Sequence, residues 1–247
     1  MRVTADPGDN APSWSPDGSK IAFNHYQRGN QNIYVMQADG RRVERLTRDG
    51  ASSGPAWSPD GTRIAFAREA SGNAGIYIMK ADGTRVTRLT RGPLLAYSPA
   101  WSPDGTRIAY IAYAKGPPAS ATRLYVMSAD GSSARRIGPD GVGLPSWSPD
   151  GTEIAFVRED TGSVYVINSD GFGLRRVVDL ARLARGRHFP QNFTSRAAWS
   201  PDGRRIAFAA GKIGSSHLYI ASVRGSGLAE LTHGVVEDED PAWSGER

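Results

Sequence analysis

Four groups of side chains in this sequence have a composition that could support chemistry. The first is the histidines, His25, His188, His217 and His233. Neutral imidazole ligates metals and titrates near neutrality, so histidines serve as ligands or as acid–base groups. These four fall on four different connections without a His-x-x-x-His spacing, which favours ordinary loop residues over a metal centre. Ser215-Ser216-His217 puts a hydroxyl beside an imidazole in sequence, but strand neighbours point to opposite faces, so no nucleophile–base pair follows. The second group is Glu237-Asp238-Glu239-Asp240, four consecutive carboxylates able to attract a hard cation such as calcium, or a basic partner segment. The third is Arg182, Arg185, Arg187 and His188 with Phe189 and Phe193, a basic aromatic cluster suited to an acidic peptide, a glycan or an anionic surface. The fourth is Asp17, Asp60, Asp104, Asp150 and Asp202, a recurring set that could ring a cation but is explained by turn chemistry. No His-Glu-x-x-His motif or phosphate-cradling Gly-rich loop with its lysine occurs. With no cysteine, thiolate chemistry and disulfides are excluded.

The elements that must position these groups come from a repeat. All six tryptophans, Trp14, Trp57, Trp101, Trp147, Trp199 and Trp243, lie on one period with gaps of 43, 44, 46, 52 and 44 residues. Five carry Trp-Ser-Pro-Asp-Gly, and proline stands two residues earlier at Pro12, Pro55, Pro99, Pro145 and Pro241, with Ala197 the exception. A period in the forties implies a stacked architecture rather than an ordinary fold. One unit reads Pro55 to Ser58, the Ser-Pro-Asp-Gly turn, Arg63 to Ala67, a loop, Ile76 to Met79, Ala-Asp-Gly, and Arg85 to Thr90. These are four short strands, a to d, joined by type I and hairpin turn residues.

Strand b alternates large and small residues, Ile64 and Phe66 against Ala65 and Ala67, and strand c is apolar on both faces, as in Ile33 and Val35 against Tyr34 and Met36. Each sheet must therefore be covered on both sides, with large faces nesting on the small faces of the following unit. Radially stacked four-stranded blades meet that requirement. The predicted fold is all-β, a β-propeller of four-stranded antiparallel blades in one domain over residues 1–247. Only Val178 to Arg185 could make a short helix. Val3-Thr4 reads as a strand d and Pro241 to Ser244 as a strand a. Five complete units plus flanks of a six-bladed or larger parent are expected, with a closed five-bladed ring as the second option.

In such a meander the a–b and c–d turns are short and uniform, while the b–c and d–a connections vary and carry all four histidines. Function is expected on that variable face and at the channel mouth. The acidic run lies there, just before a strand a. Equivalent stretches hold Asp9-Asn10, Ser52-Ser53, Ala96-Tyr97, Val142-Gly143 and Thr194-Ser195, with one other carboxylate, so a ring-wide calcium site is disfavoured and a solvated acidic loop expected.

The net charge is +5, and all basic residues except Lys20, Lys80, Lys115 and Lys212 are arginine. Many fall in or beside strand d, including Arg41, Arg42, Arg45, Arg85, Arg88, Arg135, Arg136, Arg175 and Arg176, where charge deters edge-to-edge pairing. Spread around the rim, they do not suggest nucleic-acid binding. No apolar run has transmembrane length, and Met1 to Asn10 hold no signal-peptide core.

The Trp-Ser-Pro-Asp-Gly turn, the Ile-Ala-Phe strand, Ile-Tyr-Val-Met with Ala-Asp-Gly, and the closing Leu46-Thr47, Leu89-Thr90 and Leu231-Thr232 resemble the TolB-type propeller repeat over essentially the whole chain. The likeness to WD repeats is weaker, since Gly-His and Trp-Asp pairs do not recur. TolB proteins are periplasmic, carry an α/β domain before a six-bladed propeller, and bind the peptidoglycan-associated lipoprotein and other envelope partners. Related propellers precede the hydrolase domain of prolyl-oligopeptidase-like enzymes. The resemblance implies a monomeric, non-catalytic propeller binding a protein or peptide in the envelope, without a cofactor. Tyr97, Arg185, Arg187, His188, Phe189, Phe193, Glu237, Asp238, Glu239 and Asp240 are the expected contacts. The alternatives are the gating propeller of a serine peptidase and a polysaccharide lyase using loop histidines and a metal.

Overall fold

The computed structural model describes residues 6, 8–114, 121–158, 161–179, 196–212, 215–225, 227–233 and 241. Every regular element among them is a strand, and the strands form five four-stranded antiparallel sheets in simple chain order. The first blade is β1 (Asp9–Trp14), β2 (Lys20–Gln27), β3 (Asn30–Gln37) and β4 (Glu44–Arg45). The second is β5 (Ser52–Trp57), β6 (Arg63–Ala70), β7 (Asn73–Lys80) and β8 (Thr87–Arg88). The third is β9 (Leu94–Trp101), β10 (Arg107–Ala114), β11 (Arg123–Ser128) and β12 (Arg135–Asp140). The fourth is β13 (Ser146–Trp147), β14 (Glu153–Val157), β15 (Val164–Asn168) and β16 (Arg175–Val178), and the fifth is β17 (Ala198–Trp199), β18 (Arg205–Lys212), β19 (Ser215–Ser222) and β20 (Ala229–Glu230).

The predicted flanking strands at 3–4 and 241–244 lie outside the described residues, Pro241 excepted. Of the segment expected to turn helical, Val178 instead closes β16, because this β-branched residue pairs with Val164; residues 180–185 lie outside the description.

The chain divides into two compact units, Met1–Ser120 with Met127–Ala134, and Ala121–Val126 with Arg135–Arg247. In the first, Ala22, Ile33 and Val35 of the first blade pack against Trp57, Ile64, Phe66 and Met79 of the second. In the second, Ala155, Val157, Val164 and Val166 of the fourth blade meet Trp199, Ile206 and Phe208 of the fifth. Large faces thus nest on small ones, but onto the preceding blade and not the following one. The tryptophan decides the direction: it shares the large face and its indole reaches backwards. Trp101 Nε1 donates to Ala56 O (3.2 Å) and Trp199 Nε1 to Ser146 O (3.1 Å), both on the earlier blade. Trp57, Trp101, Trp147 and Trp199 are 7–8% exposed, whereas Trp14, on the first blade, is 48% exposed. Burying each large side chain contributes about 1.5–3 kcal/mol. Facing phenylalanine–tyrosine pairs across strands b and c, such as Phe66 with Tyr77 (5.9 Å) and Phe208 with Tyr219 (5.8 Å), hold the register.

Three turn and strand-end devices complete the blades, the third of them in the first, second and fifth. In the a–b turn, Gly18 N donates to Ser15 O (2.9 Å), while the Ser15 hydroxyl donates to Asp17 Oδ1 (2.6 Å) and accepts from Lys20 N (2.9 Å). Ser58, Ser102, Ser148 and Ser200 bond their turn aspartates in the same way. These bonds, led by the serine hydroxyl, pull the Asp17 and Asp104 carboxyls down from the ordinary 3.8 to about 2, and lower those of Asp60, Asp150 and Asp202. In the c–d turn, Gly83 and Gly131 take positive φ and lie against Leu46 and Leu89, the strand-d leucines of the preceding blades. Thr47, Thr90 and Thr232 then finish strand c: their Oγ1 atoms accept from Ile33, Ile76 and Leu218 N, each at 2.9 Å, where strand d has already ended. Strand-d arginines do more than charge an edge. Arg45 and Arg88 Nε donate to Thr47 O and Thr90 O at 2.7 Å, and Arg135 donates to Ser169 O and Asp170 O at 2.8 Å.

Gly131→Ala is expected to destabilise the chain by about 2 kcal/mol, because φ is +87° and the new Cβ would stand 2.9 Å from Leu89 O. Gly18→Ala, at φ +68° in open space, should cost about 1 kcal/mol, and denaturant midpoints will compare the two. Thr47→Val preserves shape but leaves Ile33 N–H without its buried acceptor, with an expected loss of about 2 kcal/mol by the same measurement. The depressed aspartate values stabilise the fold above the ordinary carboxylate pKa, and that contribution disappears as pH falls from 3.8 towards about 2. Melting temperature should drop through that window, and Asp17→Asn with Asp104→Asn should flatten part of the drop.

Candidate functional site

In the first unit, β1 lies beside β5 and β5 beside β9, bringing three innermost strands together. Each of these strands is bulged just before its tryptophan. Register shifts between Asn10 and Ser13, between Ser53 and Ala56, and between Tyr97 and Ala100, where Ala11 (φ 51°), Gly54 (φ 59°) and Ser98 (φ 53°) enter the left-handed region. Only glycine accepts that conformation freely; at Ala11 and Ser98 it costs about 1–2 kcal/mol each. A bulge adds one residue and re-aims the side chains beside it. In the second unit, β13 and β17 are only two residues long.

The re-aimed residues form a polar band on the side of the variable connections. On the first blade, Asp9 and His25 are register partners, with His25 Nδ1 2.8 Å from Asp9 Oδ1. The imidazole also meets the edge of Tyr34 at 5.7 Å. Buried Asn24 bonds Asn10, and its Oδ1 accepts from Gly54 N (3.1 Å) on the second blade. Asp49 accepts from Ser52 Oγ (2.8 Å) and Ala51 N (2.8 Å) and pairs with Arg68 Nε (3.3 Å). Asn32 Oδ1 accepts from Gly50 N (3.1 Å), tying the loop that carries Asp49 to the first blade.

Tyr97 is the one predicted contact residue within the described structure. Its ring stacks on Tyr113 (centroids 5.7 Å, planes 11° apart), and its hydroxyl donates to Glu69 Oε2 (3.2 Å) on the second blade. Burial first, then Tyr113 and Glu69, raise the pKa of the hydroxyl, which stays protonated and donates throughout the physiological range. Arg185, Arg187, His188, Phe189, Phe193, Glu237, Asp238, Glu239 and Asp240 lie outside the described residues.

Of the other histidines in the description, His233 lies 3.6 Å from Glu230 and is exposed, and His217 sits in β19 with Nδ1 buried and without a hydrogen-bond partner. Among the described residues, no group of three or more acidic or histidine side chains could hold a metal ion. No described hydroxyl bonds His25, so the His25–Asp9 pair has no nucleophile attached. The geometry offers a largely internal hydrogen-bond network beside a half-buried aromatic platform at Tyr97 and Tyr113, and that platform is suited to recognition. Sequence reading missed the pairing of Asp9 with His25. Counting back from Trp14 opposite Ile21, with one bulged residue allowed, would have found it.

Against known proteins, a family model described as the TolB beta propeller domain matches residues 48–176. No curated protein matches the chain in sequence. Among solved structures, the chain resembles TolB from Acinetobacter baumannii with a TM-score of 0.77 and 23% identity, over 98% of this chain and 58% of that one. A putative TolB from Agrobacterium tumefaciens aligns with a TM-score of 0.75 and 23% identity, over 93% and 83% of the two chains. An oligogalacturonate lyase in complex with manganese is more distant, with a TM-score of 0.63 and 18% identity over 89% of this chain and 64% of that one. At these identities the structures speak for the fold, and this chain spans little more than half of the Acinetobacter protein. The family model takes in just over half of the 247 residues, and by that match the chain belongs to the TolB beta-propeller domain family.

Proposed function

We propose that this chain is a non-catalytic module that binds a protein or peptide partner in the bacterial envelope, through the face of the variable connections. The observation that carries the reading is the polar band of the bulged strands, where left-handed backbone at Ala11 and Ser98 interrupts the strand register beside Asn10 and Tyr97. Within it Tyr97 combines a ring platform with a fixed donor, a combination that recurs at protein-recognition surfaces. Arg185, Arg187, His188, Phe189 and Phe193 from the long insertion, and the carboxylates Glu237, Asp238, Glu239 and Asp240, would extend that surface with charge of both signs. Family membership supports both the binding role and a periplasmic location, and no described helix is long and apolar enough to cross a membrane.

The test compares proteins captured from an envelope extract by the wild-type chain and by two variants, Tyr97→Ala and a charge reversal of both loops. Partners recovered by wild type should fall about ten-fold or more with either variant while the melting temperature stays within a few degrees. Undiminished recovery by both variants overturns the site. Manganese bound through two or more histidines, together with depolymerisation of an acidic polysaccharide, would instead establish the lyase reading.

A further inference from the structure

The face of the short, uniform turns contains one place where the repeat is broken twice. The residue after the Ser-Pro-Asp-Gly turn is Ser19, Thr62, Thr106 and Thr152 in the first four blades, and Arg204 in the fifth. The c–d turn carries Asp39, Asp82, Asp130 and Asp170 in the first four, and Arg224 in the fifth. Those four aspartates work for the fold. Each accepts from the backbone N–H two residues on, at Arg41, Thr84, Ser132 and Phe172, at 2.8–3.0 Å. Arginine has no acceptor to offer there, so the fifth blade gives up a turn bond and reverses a charge at the same step.

Both replacements line one cleft of about 790 Å³ in the second unit, together with Arg175, Arg176, Gly203, Ser222 and Val223. The four arginines divide into two kinds. Arg175 is committed to Glu153 (2.8 Å) and Val223 O (2.8 Å), and Arg176 to Asp179 (2.9 Å). Arg204 and Arg224 are exposed, and their guanidinium groups make no hydrogen bond or ion pair among the described residues. The other carboxylate beside the cleft, Asp202, accepts from the Ser200 hydroxyl and Arg204 N and feels the charges of Arg205 and Arg204, without an ion pair to Arg204 among the described residues.

We propose that this cleft is an anion site that takes a phosphate group, held between the guanidinium groups of Arg204 and Arg224. A carboxylate satisfies a single arginine fork with its two oxygens, whereas a phosphate has enough acceptor oxygens to engage two forks at once. Arg175 and Arg176 are held in place by their own carboxylates and add positive potential to the wall. The anion site does not rest on the polar band or on the binding role drawn from it.

The experiment uses the variant that restores the repeat, Arg204→Thr with Arg224→Asp. Because Asp returns the turn acceptor present in the other blades, this variant should melt no lower than wild type. Calorimetric titration with inorganic pyrophosphate at low ionic strength should show binding by wild type and about ten-fold or more weakening in the variant. Arg48→Thr with Arg91→Asp, the same change of net charge at exposed positions elsewhere, should bind as wild type does. Cosedimentation with phosphatidylglycerol vesicles separates the sources. Binding to vesicles alone, with the same loss, identifies a lipid headgroup, and binding to pyrophosphate identifies a soluble phosphate. Equal binding by wild type and the restored variant, or no binding of wild type to either probe, overturns the proposal.

Discussion

Everything in this chain depends on the need of each thin sheet to be covered on both faces. A four-stranded blade cannot bury Ile64 and Phe66 on one side and Ala65 and Ala67 on the other without neighbours, and all four are buried. The contrast in size sets the geometry: alanine on strand b lets the next blade approach, and the next blade's isoleucine, phenylalanine and tryptophan fill the gap. The tryptophan adds direction where its N–H finds a carbonyl on the blade before it, as Trp101 does at Ala56 and Trp199 at Ser146, whereas Trp57 packs on the first blade with its Nε1 buried and unbonded. Trp14 is the contrasting case. It has the same sequence surroundings, and roughly half of its surface is exposed.

That packing also explains why turns recur as strictly as core residues do. Blades that close-pack leave little room at their ends, so a c–d turn must pass over the leucine of the preceding strand d without a side chain of its own. Gly83 and Gly131 do so. Strand d is itself too short to finish the ladder in the first two blades. The threonine hydroxyls of Thr47 and Thr90 therefore stand in for a backbone acceptor, and Arg45 and Arg88 hold the departing chain by its carbonyls. In the third and fourth blades the pair becomes Ile137-Gly138 and Val177-Val178, and strand d runs on to Asp140 and Val178. One device replaces the other.

What was legible in the sequence follows from this division. Period, strand number, turn positions and the two-sided burial of strand b were readable because each is imposed by packing and so appears five times. The direction of nesting was not, since alternation of large and small is the same read from either side; only the reach of an indole N–H distinguishes them. The bulges were hidden for another reason. Gly54 announces one, but Ala11 and Ser98 occupy the same conformation with residues that give no warning, so Asp9 could be paired with His25 only once the register was known. Tyr97 was found by its position before a strand a, while its stack on Tyr113 and bond to Glu69 depend on a neighbouring strand and a neighbouring blade.

A repeat is thus a record of what the fold requires, and its departures separate into two classes. Some are repaired on the spot, as when a longer strand d makes the threonine unnecessary. Others exchange a side-chain acceptor for a group that cannot accept. Asp170 accepts a backbone bond in its turn, and Arg224, at the same place one blade later, cannot. Turn stability gives no reason for that exchange, nor for a second exposed arginine at Arg204 in the same cleft. Where the local rule is broken twice at one spot with like charges left to repel, the physical tendency of the chain alone would be to restore the rule. An external anion that neutralises both is the simplest state in which the two arginines lower the energy of the molecule instead of raising it.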